Sequence, residues 1–303
     1  MLKRSSKLIL GCVAATLLSA PAFAQELAGT LKKIKDSGTI TIGYRETSVP
    51  FSYLDDKQQP IGYSIDICAA VVEEVKKELA LPNLTVKYNP VTSQTRIPLM
   101  ANGTVDIECG STTNNLTRQK QVSFAPITFI TGTKLVVKKS AKIKTYKDLK
   151  NKTVVVTQGT TNERIIKSLS DKDKLNIKFL NAKDHAESFL SVETGRAQAF
   201  AMDDVLLYGL VAKAKNPKDF EVVGDYLSYD PYGIMFRKND DDFGVVVRRT
   251  ISGLMRGEQM GTLGPISKMY DKWFVNKLPD GAVIGMPMSD LLKKAMIANA
   301  LPE

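Results

Sequence analysis

The strongest constraint on this chain is an alternation that runs, stops and starts again. "TITIGY" (39–44) alternates apolar and polar residues as a half-buried strand does, and "GYSIDICAAVVEEVKKELA" (62–80) carries an apolar stripe at helical spacing. "LTVKYNPV" (84–91) reads as a strand. "SQTRIPLMANG" (93–103) reads as a short helix with Pro98 near its start and Asn-Gly closing it, and "TVDIECG" (104–110) as another strand. The pattern then begins afresh: strands over 152–159, 175–180, 197–204 and 220–227, with helices over 160–169, 183–195 and 205–215 between them. Parallel strands need such crossovers, so the expected fold class is α/β with mostly parallel sheet, built as two halves. "LMANGTVDIECG" and "SVETGRAQAFAMDD" share a helix–Gly–strand form, which suits two related halves and equally suits two ordinary helix–strand joints.

The two ends complete the plan. "ELAGTLKKIKDSG" (26–38) is an amphipathic helix stopped by Gly38. After residue 240 the apolar patterns are helical, with no strand between them, so the tail must pack on the first half. A discontinuous first domain follows, with the chain crossing near 128–134 and again near 224–232, where Gly132 and Gly233 lie. A length of 303 residues accommodates two domains.

Lys3, Arg4 and Lys7 precede a short apolar run, "LILGCVAATLLSA", and Ala22-Phe23-Ala24 follows it. These are the three parts of a secretory signal in order, with cleavage after Ala24, and the run is too short for a membrane anchor. Cys12 falls early and Leu10 fits a lipid-attachment motif poorly. Residues 1–24 hold three of the 42 basic residues and none of the 32 acidic ones, which leaves a mature charge of +7. The basic residues are interspersed with acidic ones, and no dense Lys/Arg run carries interleaved aromatics. An anionic small ligand explains the balance better than nucleic acid. Two cysteines remain, Cys68 and Cys109. An oxidising compartment permits a bridge, but two buried thiols are the reading favoured here.

Ligands of open α/β sheets bind beyond the carboxyl ends of the strands. The residues expected there are Arg45, Ser93, Arg96, Ser111, Thr112, Thr113, Arg118, Gly159, Thr160, Thr161, His185, Asp203 and Asp204. Arg forks a carboxylate, hydroxyls and loop N–H groups complete an anion cradle, and an Asp pairs with an ammonium group. The set suits an amino acid, and the excess of Arg suits one with a second carboxylate. Each residue also has a plainer use. Thr160-Thr161 before "NER" can cap a helix, Asp203-Asp204 can start one, and a lone His or Arg is commonly a surface group. Nucleophile-elbow, P-loop and dinucleotide motifs are missing, and a single His excludes a His-rich metal site. Trp273, in "YDKWF", is expected in the core.

"GYRETSVPFSYLDDKQQPIGYSIDICAAVVEEV", "TSQTRIPLMANGTVDIECGSTTNN" and "YDKWF" resemble the extracellular solute-binding proteins of polar amino acid ABC transporters, from about Leu27 to Phe274. "ECGSTTNN…R", "GTT", "AKDH" and "MDD" occur together here as in the glutamate/aspartate-binding members. The resemblance implies a type II periplasmic binding protein fold, with two mixed sheets flanked by helices and joined by two hinge strands. It implies lobe 1 over 25–131 plus 229–303, and lobe 2 over 132–228. It further implies that Arg96 forks the α-carboxylate with help from Ser111 and Thr113, and that Asp203 holds the ammonium. Arg45, Ser93, Arg118, Thr161 and His185 would surround the side-chain carboxylate and the rest of the site. Phe51, Tyr53 and Tyr63 match positions near the site but serve packing equally well. The implied partners are L-glutamate or L-aspartate and a membrane permease, with a monomeric receptor, no cofactor and a periplasmic location. The rival is a cleft enzyme of the same fold, cyclohexadienyl dehydratase-like, with Asp203, Glu108 or His185 as acid or base.

Overall fold

The computed structural model describes residues 27–300. The expected signal peptide and its cleavage after Ala24 lie outside the described residues.

Thirteen strands lie among the described residues: β1 (Thr39–Tyr44), β2 (Thr47–Ser48), β3 (Ser52–Leu54), β4 (Pro60–Ile61), β5 (Thr85–Pro90), β6 (Ile107–Cys109), β7 (Val122–Thr131), β8 (Thr133–Lys138), β9 (Thr153–Thr157), β10 (Lys178–Ala182), β11 (Ala199–Asp203), β12 (Phe220–Val223) and β13 (Asp230–Arg237). The α-helices are α1 (Gly29–Ser37), α2 (Tyr63–Glu78), α3 (Arg96–Ala101), α4 (Leu116–Gln119), α5 (Thr161–Lys172), α6 (His185–Glu193), α7 (Asp204–Ala212), α8 (Asp241–Met255), α9 (Pro265–Tyr270) and α10 (Asp290–Asn299). One sheet has the order β5-β1-β6-β13-β7, a second β10-β9-β11-β8-β12, and β2-β3-β4 form a small third sheet.

The expected βα alternation is present in both large sheets. β1 pairs in parallel with β5 and β6, and β9 with β10 and β11. The expectation of mostly parallel sheet needs correcting, because β13 runs antiparallel to β6 and β7, and β8 antiparallel to β11 and β12. These strands flank the two crossings. The chain leaves the first sheet along β7, passes Gly132, enters the second as β8, and returns as β13. A chain that crosses and comes back lays its outgoing and returning strands in opposite directions. Pro126 hides β7 in the sequence. It sits opposite register shifts in β13 at Tyr232/Gly233 and Gly233/Met235, the irregular position where a strand tolerates proline. β10 begins at Lys178, later than expected, because Asn176 turns with φ 53°.

α1 ends at Gly38 in the left-handed region, as expected from the sequence. The tail helices add no named strand and pack on the first half, α8 against α1, α2 and β7, and α10 against β7 and α8. Their anchor is an aromatic cluster. Phe274 stacks on Phe129 at 4.8 Å and on Tyr270 at 4.4 Å, and Phe51 meets Phe129, Tyr232 and Phe274 edge-on. Trp273 is buried and donates through Nε1 to Asp66 at 2.7 Å. Phe51 and Tyr63 therefore serve packing.

Cys68 on α2 and Cys109 at the end of β6 form a disulfide, S–S 2.07 Å, which overturns the reading as two thiols. α2 packs directly on β6, and Ser64 Oγ donates to Gly110 O at 2.8 Å, so the helix and the strand end are held together. Sequence spacing gave no measure of that packing. The bridge spans 41 residues, and closing a loop of that size restricts the unfolded chain. Replacing both cysteines with serine is expected to lower stability by about 2–4 kcal/mol in urea unfolding.

Candidate functional site

β1, β6, β9 and β11 all point their carboxyl ends toward the junction of the two halves. There lies a small, nearly filled cavity of about 10 Å³, lined by Ser93, Arg96, Ser111, Thr113, Thr160, Thr161, Asn162, His185, Met202, Asp203 and Leu206. Seven of the nine residues proposed from sequence are in that lining. Arg45 and Arg118 are the other two, and they lie immediately behind it. Arg45 Nη2 is 3.4 Å from His185 Nε2. Arg118 donates through Nη1 to Thr113 O at 2.8 Å and through Nη2 to Gly159 O at 3.3 Å, spanning the junction.

The first half supplies the cations. Arg96 opens α3 and is buried, with Nη1 donating to Ser111 O at 3.0 Å. Arg96 Nε, Arg45 Nη1, Ser93 Oγ and Ser111 Oγ are all buried with no partner among the described residues. A buried polar group left unmatched costs about 1–3 kcal/mol, so four of them in one locality point to a polar ligand. Three buried guanidiniums in close proximity make that ligand anionic. Burial, then Arg96, lowers the Arg45 and Arg118 pKa values to about 9. Burial also lowers Arg96, and the Glu108 carboxylate opposes the shift in all three. An incoming carboxylate relieves the same strain.

The polar loop after β6 is fixed at every position. Thr112 Oγ1 donates to Glu108 Oε2 at 2.6 Å and Thr113 Oγ1 to Asp230 Oδ1 at 2.9 Å. Asn114 N donates to Pro231 O, and Asn115 caps α4 by accepting from Arg118 N. Gly110 makes room for this arrangement, since a Cβ there would sit 2.3 Å from Glu108 Oε1 and 2.9 Å from Arg45 Cγ.

The second half supplies a helix start, an imidazole and a carboxylate. Thr160 caps α5 by accepting from Glu163 N, as the plainer reading allowed, while Thr161 Oγ1 lies 3.4 Å from Thr113 Oγ1 across the junction. His185 is buried, and its pKa is held well below the ordinary value by burial, then Arg45, then Arg96. The ring is neutral, and with the Arg45 Nη2 hydrogen directed at Nε2, the proton belongs on Nδ1, 3.0 Å from Thr157 Oγ1. Asp203 ends β11. It accepts from Asn162 Nδ2 at 2.7 Å and from the Tyr232 hydroxyl, and burial, then Asp230, raises its pKa to about 7. Asp204 faces the crossings instead, accepting from Thr131 and Tyr226 at 2.6 Å each. Asn162 and Tyr232 escaped the sequence reading. Asn162 follows directly on "GTT", so its position was a usable signal, but Tyr232 reaches the site only through the returning strand.

Gly159 marks where the halves touch. Its φ is +79°, and a Cβ would lie 2.8 Å from Gln94 Cα and 2.9 Å from Ser93 O on the opposite side. Gly159→Ala is expected to cost about 1–3 kcal/mol of closure. Ligand affinity should fall roughly 5- to 150-fold in a calorimetric titration, with little change in the ligand-free circular dichroism.

Comparison with known proteins bears on the family and the fold. The family described as bacterial extracellular solute-binding proteins, family 3, matches residues 40–276. An L-glutamate/L-aspartate-binding protein of Pseudomonas aeruginosa is 54% identical over 93% of this chain and 92% of its own. A glutamate/aspartate import solute-binding protein of Escherichia coli strain K12 is 47% identical over 91% and 90%. Among solved structures, an ancestral amino acid-binding protein, a precursor of cyclohexadienyl dehydratase, superposes with TM-score 0.66 at 28% identity, covering 81% of this chain and 99% of that one. Two mixed sheets flanked by helices, a polar cavity where they meet and a family match over most of the chain lead to one assignment: this protein belongs to the bacterial extracellular solute-binding proteins, family 3, with the type II periplasmic binding protein fold.

Proposed function

We infer that this protein captures L-glutamate or L-aspartate in the periplasm and delivers it to the membrane permease of an ABC importer. One observation carries the ligand class: Arg96 and Asp203 line one cavity, with Arg45 and Arg118 buried immediately behind it and unpartnered donors on the arginine side. Two carboxylates and one ammonium match that charge pattern. Arg96, with Ser111 and Thr113, takes the α-carboxylate, and Asp203 takes the ammonium. Arg45, Ser93, Arg118, Thr161 and His185 surround the side-chain carboxylate. The names of the Pseudomonas and Escherichia relatives support the same ligands.

The receptor works as two lobes, 25–131 plus 229–303 and 132–228, exported by a signal peptide cleaved after Ala24 and acting as a monomer. Closure on the ligand removes water from the arginine–carboxylate contacts and strengthens them. Mass spectrometry of the small molecule released from natively purified protein tests the reading. Glutamate or aspartate is expected, and a basic or neutral amino acid would overturn it.

A dehydratase-like enzyme is the second reading. Its support is the Asp203 carboxyl, whose pKa of about 7 suits acid–base chemistry. Both Asp203 oxygens are engaged by Asn162 and Tyr232, which suits a fixed acceptor better than a proton shuttle. Turnover of a prephenate-type cyclic carboxylate would establish the enzyme.

A further inference from the structure

Asp203 is tied into a buried polar chain that reaches both crossings. Asn162 Nδ2 donates to Asp203 Oδ1 and to Thr133 Oγ1, each at 2.7 Å. Ser228 Oγ lies 2.8 Å from Thr133 Oγ1 and donates to Asp230 Oδ2, while Asp230 Oδ1 accepts from Thr113. Tyr232 donates to the other oxygen of Asp203. Asp230 and Tyr232 stand two residues apart on β13 and are each 1% exposed. Asp230 accepts only from hydroxyls, and its backbone pairs with Thr131 at the end of the outgoing strand.

We propose that Tyr232 and Asp230 are positioning residues of the ammonium subsite that act on Asp203 in opposite senses. The Tyr232 hydroxyl stabilises and aims its carboxylate, and Asp230 places a second buried carboxylate within reach that favours the protonated acid. This rests on the reading of Asp203 as the ammonium acceptor. The charged and titratable groups facing Asp203 are Tyr232 and Asp230 from β13, Asp204 from the start of α7, and Arg96 from α3, with Asn162 of α5 neutral. Asp203 must be ionised to pair with an ammonium. The two residues therefore set the lower edge of the pH range in which an amino acid is captured. Hydroxyl and carboxylate both come from the returning strand, so the same edge responds to how that strand sits. His185 is held well below its ordinary value by burial, then Arg45, then Arg96.

The test is the affinity for L-glutamate, by calorimetry from pH 5 to pH 9, in the unsubstituted protein, Asp230→Asn and Tyr232→Phe. The unsubstituted protein is expected to lose about tenfold in affinity per pH unit below the Asp203 midpoint near 7. Asp230→Asn should move that midpoint down, and Tyr232→Phe should move it up, each by about one pH unit. Both changes are nearly isosteric, and Thr113 and Ser228 hydroxyls can turn to accept from the new amide. Ligand-free thermal stability over the same pH range reports the same midpoints without requiring binding. Midpoints that coincide, or that shift in the same direction, overturn the inference while leaving the ligand assignment intact. Absence of glutamate binding by the unsubstituted protein overturns the ligand assignment and this inference with it.

Discussion

Arg96→Ala abolishes useful binding of α-amino acids. The residue is 2% exposed and spends one guanidinium nitrogen on Ser111 O, leaving Nε buried without a partner among the described residues. Removing one side of a buried ion pair costs about 3–5 kcal/mol because the other side loses its only match in a dry environment. That is a loss of roughly 10²- to 10⁴-fold in affinity, measured by calorimetry. Arg96→Lys should recover little of it. An ammonium is a point charge and cannot hold Ser111 O while forking a carboxylate.

Asp203→Asn separates binding from stability. Binding should fall at least a hundredfold, because the ammonium loses its buried counter-charge. The ligand-free protein should become more stable at the same time. The Asp203 pKa is raised to about 7 by burial and Asp230, whereas a carboxyl in the unfolded chain titrates near 3.9. Between those values the folded state holds a proton that the unfolded state has released, so stability falls as pH rises through about 4 to 7 and levels off above. A neutral amide has no such loss. At pH 8 the ligand-free variant should gain about 2–4 kcal/mol in urea unfolding, and at pH 4 the two proteins should differ little. Sites that hold a charge ready for a ligand commonly carry this cost.

Much of the fold was legible because its local signals agree. β1 is Thr39–Tyr44 as the alternation predicted, and α2, β5, β9 and α5 fall within a few residues of their expected places. Among the strands that escaped, β7 contains Pro126, β8 adjoins Gly132 and β13 contains Gly233, and β7 and β13 owe their pairing to each other across about a hundred residues. No window of sequence holds that information. The candidate site divides in the same way. Arg96, Ser111 and Asp203 follow strand ends, where a parallel sheet presents ligand groups. Tyr232 belongs to the returning strand and meets Asp203 only once both sheets are assembled. The need for glycine at position 110 is equally non-local, since the space a Cβ would take is filled by Glu108 and Arg45. The disulfide was undecidable for the same reason, since it depends on how α2 lies on β6.

Calorimetric titration of the unsubstituted protein at pH 8 with L-glutamate, L-aspartate, L-glutamine and L-arginine tests the central claim most directly. Three buried arginines predict that one or both acidic amino acids bind about a hundredfold or more tighter than glutamine, which lacks the second carboxylate. Arginine should give no measurable heat of binding. Glutamine or arginine binding as tightly as the acidic pair would contradict the account.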